Sequence, residues 1–183
     1  TPYEVANSLR FDDGSSDYLN RTSSTGSNTT STFSGWIKRA NLGAEMKILN
    51  FTGGSNNLNI EFKSDDQFSA NAYDGSSQFS LKTNRKFRDP SAWYHIVVAI
   101  DTTQATASNR VKIYVNGVQE TSFATETYPT QNDTLVMNNY LSSNPFIGQN
   151  GSSNHFFDGY MSEICWIDGQ QLDATSFGEF DSD

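Results

Sequence analysis

The run Val111-Lys112-Ile113-Tyr114-Val115-Asn116-Gly117-Val118 leaves few backbone conformations open. Apolar residues at 111, 113 and 115 alternate with Lys112 and Tyr114, the period of a strand with one buried face. Asn116-Gly117 follows at once. Both central residues of a tight type I′ turn need positive φ, which Asn and Gly adopt at least cost. The pattern predicts a hairpin whose returning strand covers residues 118–123. Upstream, residues 93–100 are β-branched and aromatic on both faces, as in a central strand. These elements commit the middle of the chain to antiparallel β structure.

Short alternating runs punctuated by Gly, Asn, Asp and Ser predict further strands at residues 8–11, 32–39, 46–51, 58–62, 68–73, 78–81, 134–137, 146–148 and 160–167. In the second of these, Phe33 and Ile37 face one way and Trp36 the other. In the last, Tyr160, Ile164 and Trp166 share one face by alternation, and Met161, Cys165 and Ile167 the other. Trp36, Trp93 and Trp166 are expected in the core, Cys165 is expected as a small buried hydrophobe, and His95 as a structural histidine. Asp173 is placed to cap a short helical turn over residues 173–177. About a dozen short strands in 183 residues make an all-β, two-sheet antiparallel jelly-roll sandwich, one domain over residues 1–183.

Hydrophobic residues are only 35% of the chain, yet aromatics reach 13%, which a disordered chain would lack. The net charge of −9, without a basic run, argues against a nucleic-acid partner. No apolar stretch is long enough to span a membrane as a helix, so membrane insertion is not expected. One cysteine excludes an intrachain disulfide and a Cys-based zinc site.

Four phrases then resemble one family. Ser8-Leu9-Arg10-Phe11-Asp12-Asp13-Gly14 with Asp17-Tyr18-Leu19 is similar to the opening of laminin-G-like, concanavalin-A-like jelly rolls. Phe33-Ser34-Gly35-Trp36-Ile37-Lys38, Trp93-Tyr94-His95-Ile96-Val97-Val98 with the Asn116-Gly117 hairpin, and Phe157-Asp158-Gly159-Tyr160-Met161-Ser162-Glu163-Ile164 resemble its later signatures, in order. Phe87-Arg88-Asp89-Pro90-Ser91-Ala92, the run from Asp101 to Ala107, and the runs from Ile167 to Asp173 and from Ser176 to Phe180 further resemble laminin-G-like domains in virion proteins of tailed marine bacteriophages. That resemblance implies a location on a virion surface, in a tail or capsid-decoration protein. It implies as partners host-surface or environmental glycans and other virion proteins, with a homo-oligomer possible.

The glucanases of this superfold carry spaced carboxylates, E-x-D-x-x-E, on one strand. Here Glu163 is followed by Ile164, Cys165 and Trp166, so no enzyme is expected. Asp12, Asp13 and Asp17 cluster around Gly14, and the family topology brings Asp158 near them. Together they are candidates for a structural calcium, since hard cations take carboxylate and carbonyl oxygens. The same carboxylates would otherwise cap turn N–H groups.

Sugar recognition calls for aromatic faces and planar amides on loops held by a rigid scaffold. The candidates are Tyr73, Asp74, Tyr128, Asn139, Tyr140, Asn150 and His155. Excess acid leaves little attraction for anionic polysaccharide, so a neutral glycan is expected. The expected function is a non-enzymatic carbohydrate-binding or adhesion module of a virion. The alternative is a purely structural capsid-decoration or tail module. A cellular lectin would instead use the Asn-x-Ser/Thr sequons at Asn20, Asn28, Asn50, Asn132 and Asn150 as glycosylation sites.

Overall fold

In a computed structural model, which describes residues 7–178, the predicted turn forms with φ of 49° at Asn116 and 80° at Gly117. The strands, in chain order, are β1 (Leu9–Phe11), β2 (Leu19–Asn20), β3 (Thr30–Arg39), β4 (Met46–Gly53), β5 (Asn56–Phe62), β6 (Gln67–Tyr73) and β7 (Ser77–Lys86). They continue as β8 (Tyr94–Asp101), β9 (Val111–Val115), β10 (Val118–Gln119), β11 (Phe123–Thr127), β12 (Asn144–Ile147) and β13 (Gly159–Asp168). A six-stranded sheet has the order β1-β13-β3-β8-β9-β10, and a seven-stranded sheet the order β11-β7-β6-β5-β4-β12-β2. Every pairing is antiparallel. The all-β sandwich is therefore as expected, and β8 is a central strand.

The two inner faces supply the core. Phe33 and Ile37 of β3, Ile96 and Val98 of β8, Leu58 and Ile60 of β5, and Phe79 and Leu81 of β7 are all essentially inaccessible. Alternation along each strand leaves polar residues on the outer faces. The Asp173 side chain accepts from the Thr175 N–H and caps a 3₁₀ turn at Ala174–Ser176. No helix of the described residues is long and apolar enough to cross a membrane.

The structure corrects several expectations. The strand predicted at residues 118–123 stops at Gln119; the chain then crosses to the other sheet, where β11 pairs with β7. Residues 134–137 form no strand although Leu135, Val136 and Met137 are fully buried. Their backbone bonds go to a loop instead, with the Leu135 N–H donating to the Asn28 carbonyl. Burial selected the apolar residues there without a ladder.

In β13, a bulge between Ser162 and Cys165 reverses the alternation. Glu163 takes φ of 52°, so Met161, Ile164 and Trp166 face inward, while Tyr160, Ser162, Cys165 and Ile167 face outward. Cys165 is accordingly only half-buried. Gly35 opposes the bulge, and a Cβ there would run into Ile164. Of the three tryptophans, Trp166 packs against the core beside Phe51. Trp36 lies on the outer face against His95, and Trp93 lies beside Tyr160; both are half-buried rather than core. His95 is buried and shares a 2.9 Å hydrogen bond with the Ser34 hydroxyl, and burial lowers its pKa.

Candidate functional site

Strands β4, β5, β6 and β7 are joined by tight turns, so each pairs with the next along most of its length. Their inward residues are apolar. Their outward residues form three rows across the sheet. Lys47 opposes Glu61, which opposes Ser69, which opposes Lys82. Asn50 opposes Asn59, which opposes Asn71, which opposes Ser80. Thr52 opposes Asn57, which opposes Tyr73, which opposes Ser77. Cross-strand partners stand about 5 Å apart, so side chains of one row touch.

The asparagine row is a directional relay. The Gly151 N–H donates to Asn50 Oδ1 at 3.1 Å, and Asn50 Nδ2 donates to Asn59 Oδ1 at 2.8 Å. Asn59 Nδ2 donates to Asn71 Oδ1 at 2.9 Å and to Asn57 Oδ1 at 2.7 Å. Asn71 Nδ2 donates to Glu61 Oε1 at 2.7 Å and to Ser69 Oγ at 3.2 Å. Each amide is thereby fixed in orientation before any ligand arrives. Asn50 is 2% exposed, which removes its sequon as an attachment point.

The relay ends in an ion-pair cluster. Glu61, 1% exposed, pairs with Lys47 and with Lys63. Glu45 accepts from Lys47 and Lys63, each at 2.9 Å. Burial alone would raise the Glu45 carboxyl, but the hydrogen bonds and charges of Lys63 and Lys47 dominate and hold it at about 2. Lys82 pairs with Asp65, whose carboxyl is held below its ordinary value by that hydrogen bond.

The members of these rows on β5, β6 and β7 from Asn59 onward, with Lys47, line a groove of about 440 Å³, while Asn50, Thr52 and Asn57 lie outside its lining. It runs along the strands from Tyr73 and Ser77 at one end to Glu45, Lys47 and Lys63 at the other. From Ser69 to Tyr73 this is about 13 Å at the rise of a strand. Tyr73 is 41% exposed, and its hydroxyl and those of Ser77 and Ser80 enter no hydrogen bond among the described residues.

The loop candidates divide. Tyr73 stands in the groove, and Asp74 beside it accepts from Ser76 Oγ in the following turn. Asn150 and His155 lie on the loop that flanks the groove: Asn150 Oδ1 accepts from the Ser152 and Asn154 N–H groups, and His155 Nδ1 lies 3.9 Å from Glu45 Oε1. The His155 carbonyl also accepts from the Lys47 N–H. Tyr128 lies outside the groove lining and packs against the core. Burial and its hydrogen bond to Glu126 push its hydroxyl up to about 12. Asn139 precedes the 3₁₀ turn Tyr140–Ser142 with φ of 69°, and neither it nor Tyr140 lines the groove.

Among the acidic candidates, carboxylate oxygens of Asp12, Asp13 and Asp158 come within 4.8 Å of one another. Asp17 does not join them, since its Oδ2 accepts from the Asp12 N–H at 3.1 Å. Asp12 Oδ1 accepts from the Gly14 N–H at 2.9 Å, and Asp158 Oδ1 holds Arg10 at 2.6 Å. Asp12 Oδ2 also accepts from the Ser15 hydroxyl at 3.4 Å, which leaves the Asp13 carboxylate and the second oxygen of Asp158 for a cation. That fits a shallow oxygen site completed by water better than a closed protein cage.

Fold and site together define a β-sandwich module with a preformed polar groove on one sheet face. A family model described as the concanavalin A-like lectin/glucanases superfamily matches residues 13–171, and the chain belongs to that superfamily. A comparison with curated proteins finds no match. Among solved structures, domains LG4-5 of the mouse laminin α1 chain align with TM-score 0.65 at 14% identity, over 94% of this chain and 44% of that one. The CBM40 of the Ruminococcus gnavus IT-sialidase, bound to α2,3 sialyllactose, aligns with TM-score 0.58 at 12% identity, over 87% and 93%. Domain 4 of AbnA, a GH43 extracellular arabinanase from Geobacillus stearothermophilus in complex with arabinotriose, aligns with TM-score 0.54 at 16% identity, over 85% and 68%. At these identities the likeness is one of fold.

Proposed function

We propose that the chain is a non-catalytic glycan-binding module whose site is the groove on the seven-stranded sheet, carried on a virion surface and engaging host-surface or environmental glycans. The observation that carries the binding reading is the pair Asn59 and Asn71, pre-ordered by Asn50 behind them, on the groove surface beside the exposed Tyr73. Sugars are recognised by an aromatic face for the ring and by fixed polar groups for the hydroxyls. Two of the aligned structures are described as bound to an oligosaccharide, which agrees with such a use of the fold. The virion location rests on the phrases around Phe87–His95 and Ile167–Asp173. Weak sites repeated on one particle would gain avidity through effective concentration.

The test is a glycan array probed with multimerised, folded protein. Dose-dependent binding to a related set of sugars supports the reading. A blank array, together with binding to a purified virion protein, turns the assignment to a structural tail or capsid-decoration module.

Calcium at Asp12, Asp13 and Asp158 is proposed as a structural companion to this site, not as part of it. Calcium in 100-fold excess over its Kd should stabilise the fold by about 2.7 kcal/mol, several degrees in melting temperature. Chelator should reverse the shift and Asp13→Asn should abolish it. A melting temperature identical with and without calcium in differential scanning calorimetry removes the metal from the model of function.

A further inference from the structure

From the hydrogen-bond inventory of the groove, and resting on the glycan-binding reading above, we infer that the site takes neutral chains bearing free hydroxyls and discriminates against uronate-bearing or sulfated ones.

Both amide hydrogens of Asn59 and both of Asn71 are already donated to protein acceptors. Glu61 is closed by Lys47, Lys63 and Asn71. What faces an incoming ligand is therefore of two kinds. The hydroxyls of Tyr73, Ser77 and Ser80 both donate and accept, and Asn71 Oδ1 has a lone pair left. Lys63 and Lys82 keep ammonium hydrogens beyond those given to carboxylates. A sugar hydroxyl, donor and acceptor at once, matches this mixture at every position.

A carboxylate or sulfate could accept from these donors but finds no net positive charge to offset its own and nothing to give Asn71 Oδ1. The groove's cations Lys47, Lys63 and Lys82 face Glu45, Glu61 and Asp65, and each lysine is paired. An anion entering here loses water and meets no uncompensated positive charge, the unfavourable half of an ion pair. It also approaches a chain of net charge −9. The discrimination is thus built from pairing rather than from a lack of lysine, and removing one carboxylate should reverse it. Glu45, with its side chain 26% exposed, is the member to change, because Glu61 remains on both lysines.

The experiment is isothermal titration of the protein with matched oligosaccharides: a neutral chain found on the array, and the same chain carrying a uronate or a sulfate. The protein should bind the neutral form at least ten-fold more tightly. Glu45→Gln should move the ratio of the two affinities about ten-fold toward the acidic form. Asp65→Asn, which releases Lys82, should move it in the same direction and serves if Glu45→Gln folds poorly. Equal or tighter binding of the acidic chain by the unaltered protein overturns the inference while leaving the groove as the glycan site. An unchanged ratio in both folded variants overturns it as well. Failure of the folded protein to bind either form overturns the glycan reading itself, and the inference with it.

Discussion

Asp66→Asn should lower the free energy of unfolding by about 3–5 kcal/mol, the cost of breaking a buried ion pair from one side. Asp66 opens β6 from the turn after β5, with φ of 66°, which Asn also tolerates. Its Oδ1 accepts from Arg39 Nη2 at 3.0 Å and from the Gly43 N–H at 2.8 Å, and Oδ2 accepts from Arg88 at 2.9 Å. Arg39 is 0% exposed, lies over the Phe62 ring and donates to the Phe87 carbonyl. Neutralising Asp66 therefore strands a guanidinium, which stays charged, inside the sandwich. For a chain of this size the melting temperature should drop by about 10 °C. Arg88→Ala removes the exposed member of the same cluster and should cost at most about 1 kcal/mol. Adding Arg39→Leu to Asp66→Asn should recover part of the loss, because it removes the stranded charge; calorimetry of these three variants beside the unaltered protein reads all of this. If the single Asp66→Asn variant melts within a degree of the unaltered protein, the cluster is not what ties this turn to the sheet.

The same carboxylate sets an acid limit. Burial alone would raise the Asp66 pKa, but the Gly43 N–H and the guanidinium groups of Arg88 and Arg39 reverse this and hold it below its ordinary value. The folded state thus binds that proton later than the unfolded chain as pH falls. The stabilisation is complete above the ordinary carboxylate range and is lost below about pH 4. Glu45, held at about 2, acts in the same direction.

How much of this was legible depends on the distance over which each feature is decided. The Asn116-Gly117 hairpin is local, two residues in length, and its alternating strands could be read directly. So could the central strand and the Asp173 cap. The bulge at Glu163 was not legible, because Glu at positive φ has no sequence signature. It is forced from outside by Gly35 and the packing of Ile164. One unrecognised extra residue was enough to exchange the faces of Tyr160 and Met161 relative to the residues after the bulge. The groove lies between these cases. Its loop candidates drew attention because aromatics and Asn stand out between strands. The asparagine row was missed because it sits within strands. Yet residues 46–73 hold three runs separated by short turns, Gly53-Gly54-Ser55 and Ser64-Asp65-Asp66. Such turns force consecutive hairpins, and then Asn50, Asn59 and Asn71 must fall in register. That signal was present in the order of the outward residues alone.

Tyr73→Ala should weaken glycan binding at least 30-fold, a loss of about 2 kcal/mol or more, and leave the melting temperature almost unchanged. The two expectations come from one observation. Tyr73 ends β6 with 41% of its surface exposed and its hydroxyl unengaged, so the fold gains little from the ring. A ligand in the groove would cover that ring and sit over the Asn57 and Ser77 positions on either side of it. Aromatic anchors of this kind carry a disproportionate share of binding energy because they bring large area at low entropic cost. Tyr128 is the matched control. By sequence it is the same sort of loop tyrosine, but it packs against the core away from the groove. Tyr128→Ala should therefore lower stability by about 1–3 kcal/mol and leave the affinity where it was. The opposite assignment, with Tyr128→Ala costing affinity and Tyr73→Ala costing none, would move the binding site from the sheet face to the loops at the sandwich end. Titration of both variants against one array-identified sugar, beside their melting curves, decides between the two surfaces. The reason to expect the sheet face is physical: its polar groups are already ordered, whereas Tyr140 opens a single 3₁₀ turn whose N-cap, Asn139, makes no side-chain capping hydrogen bond.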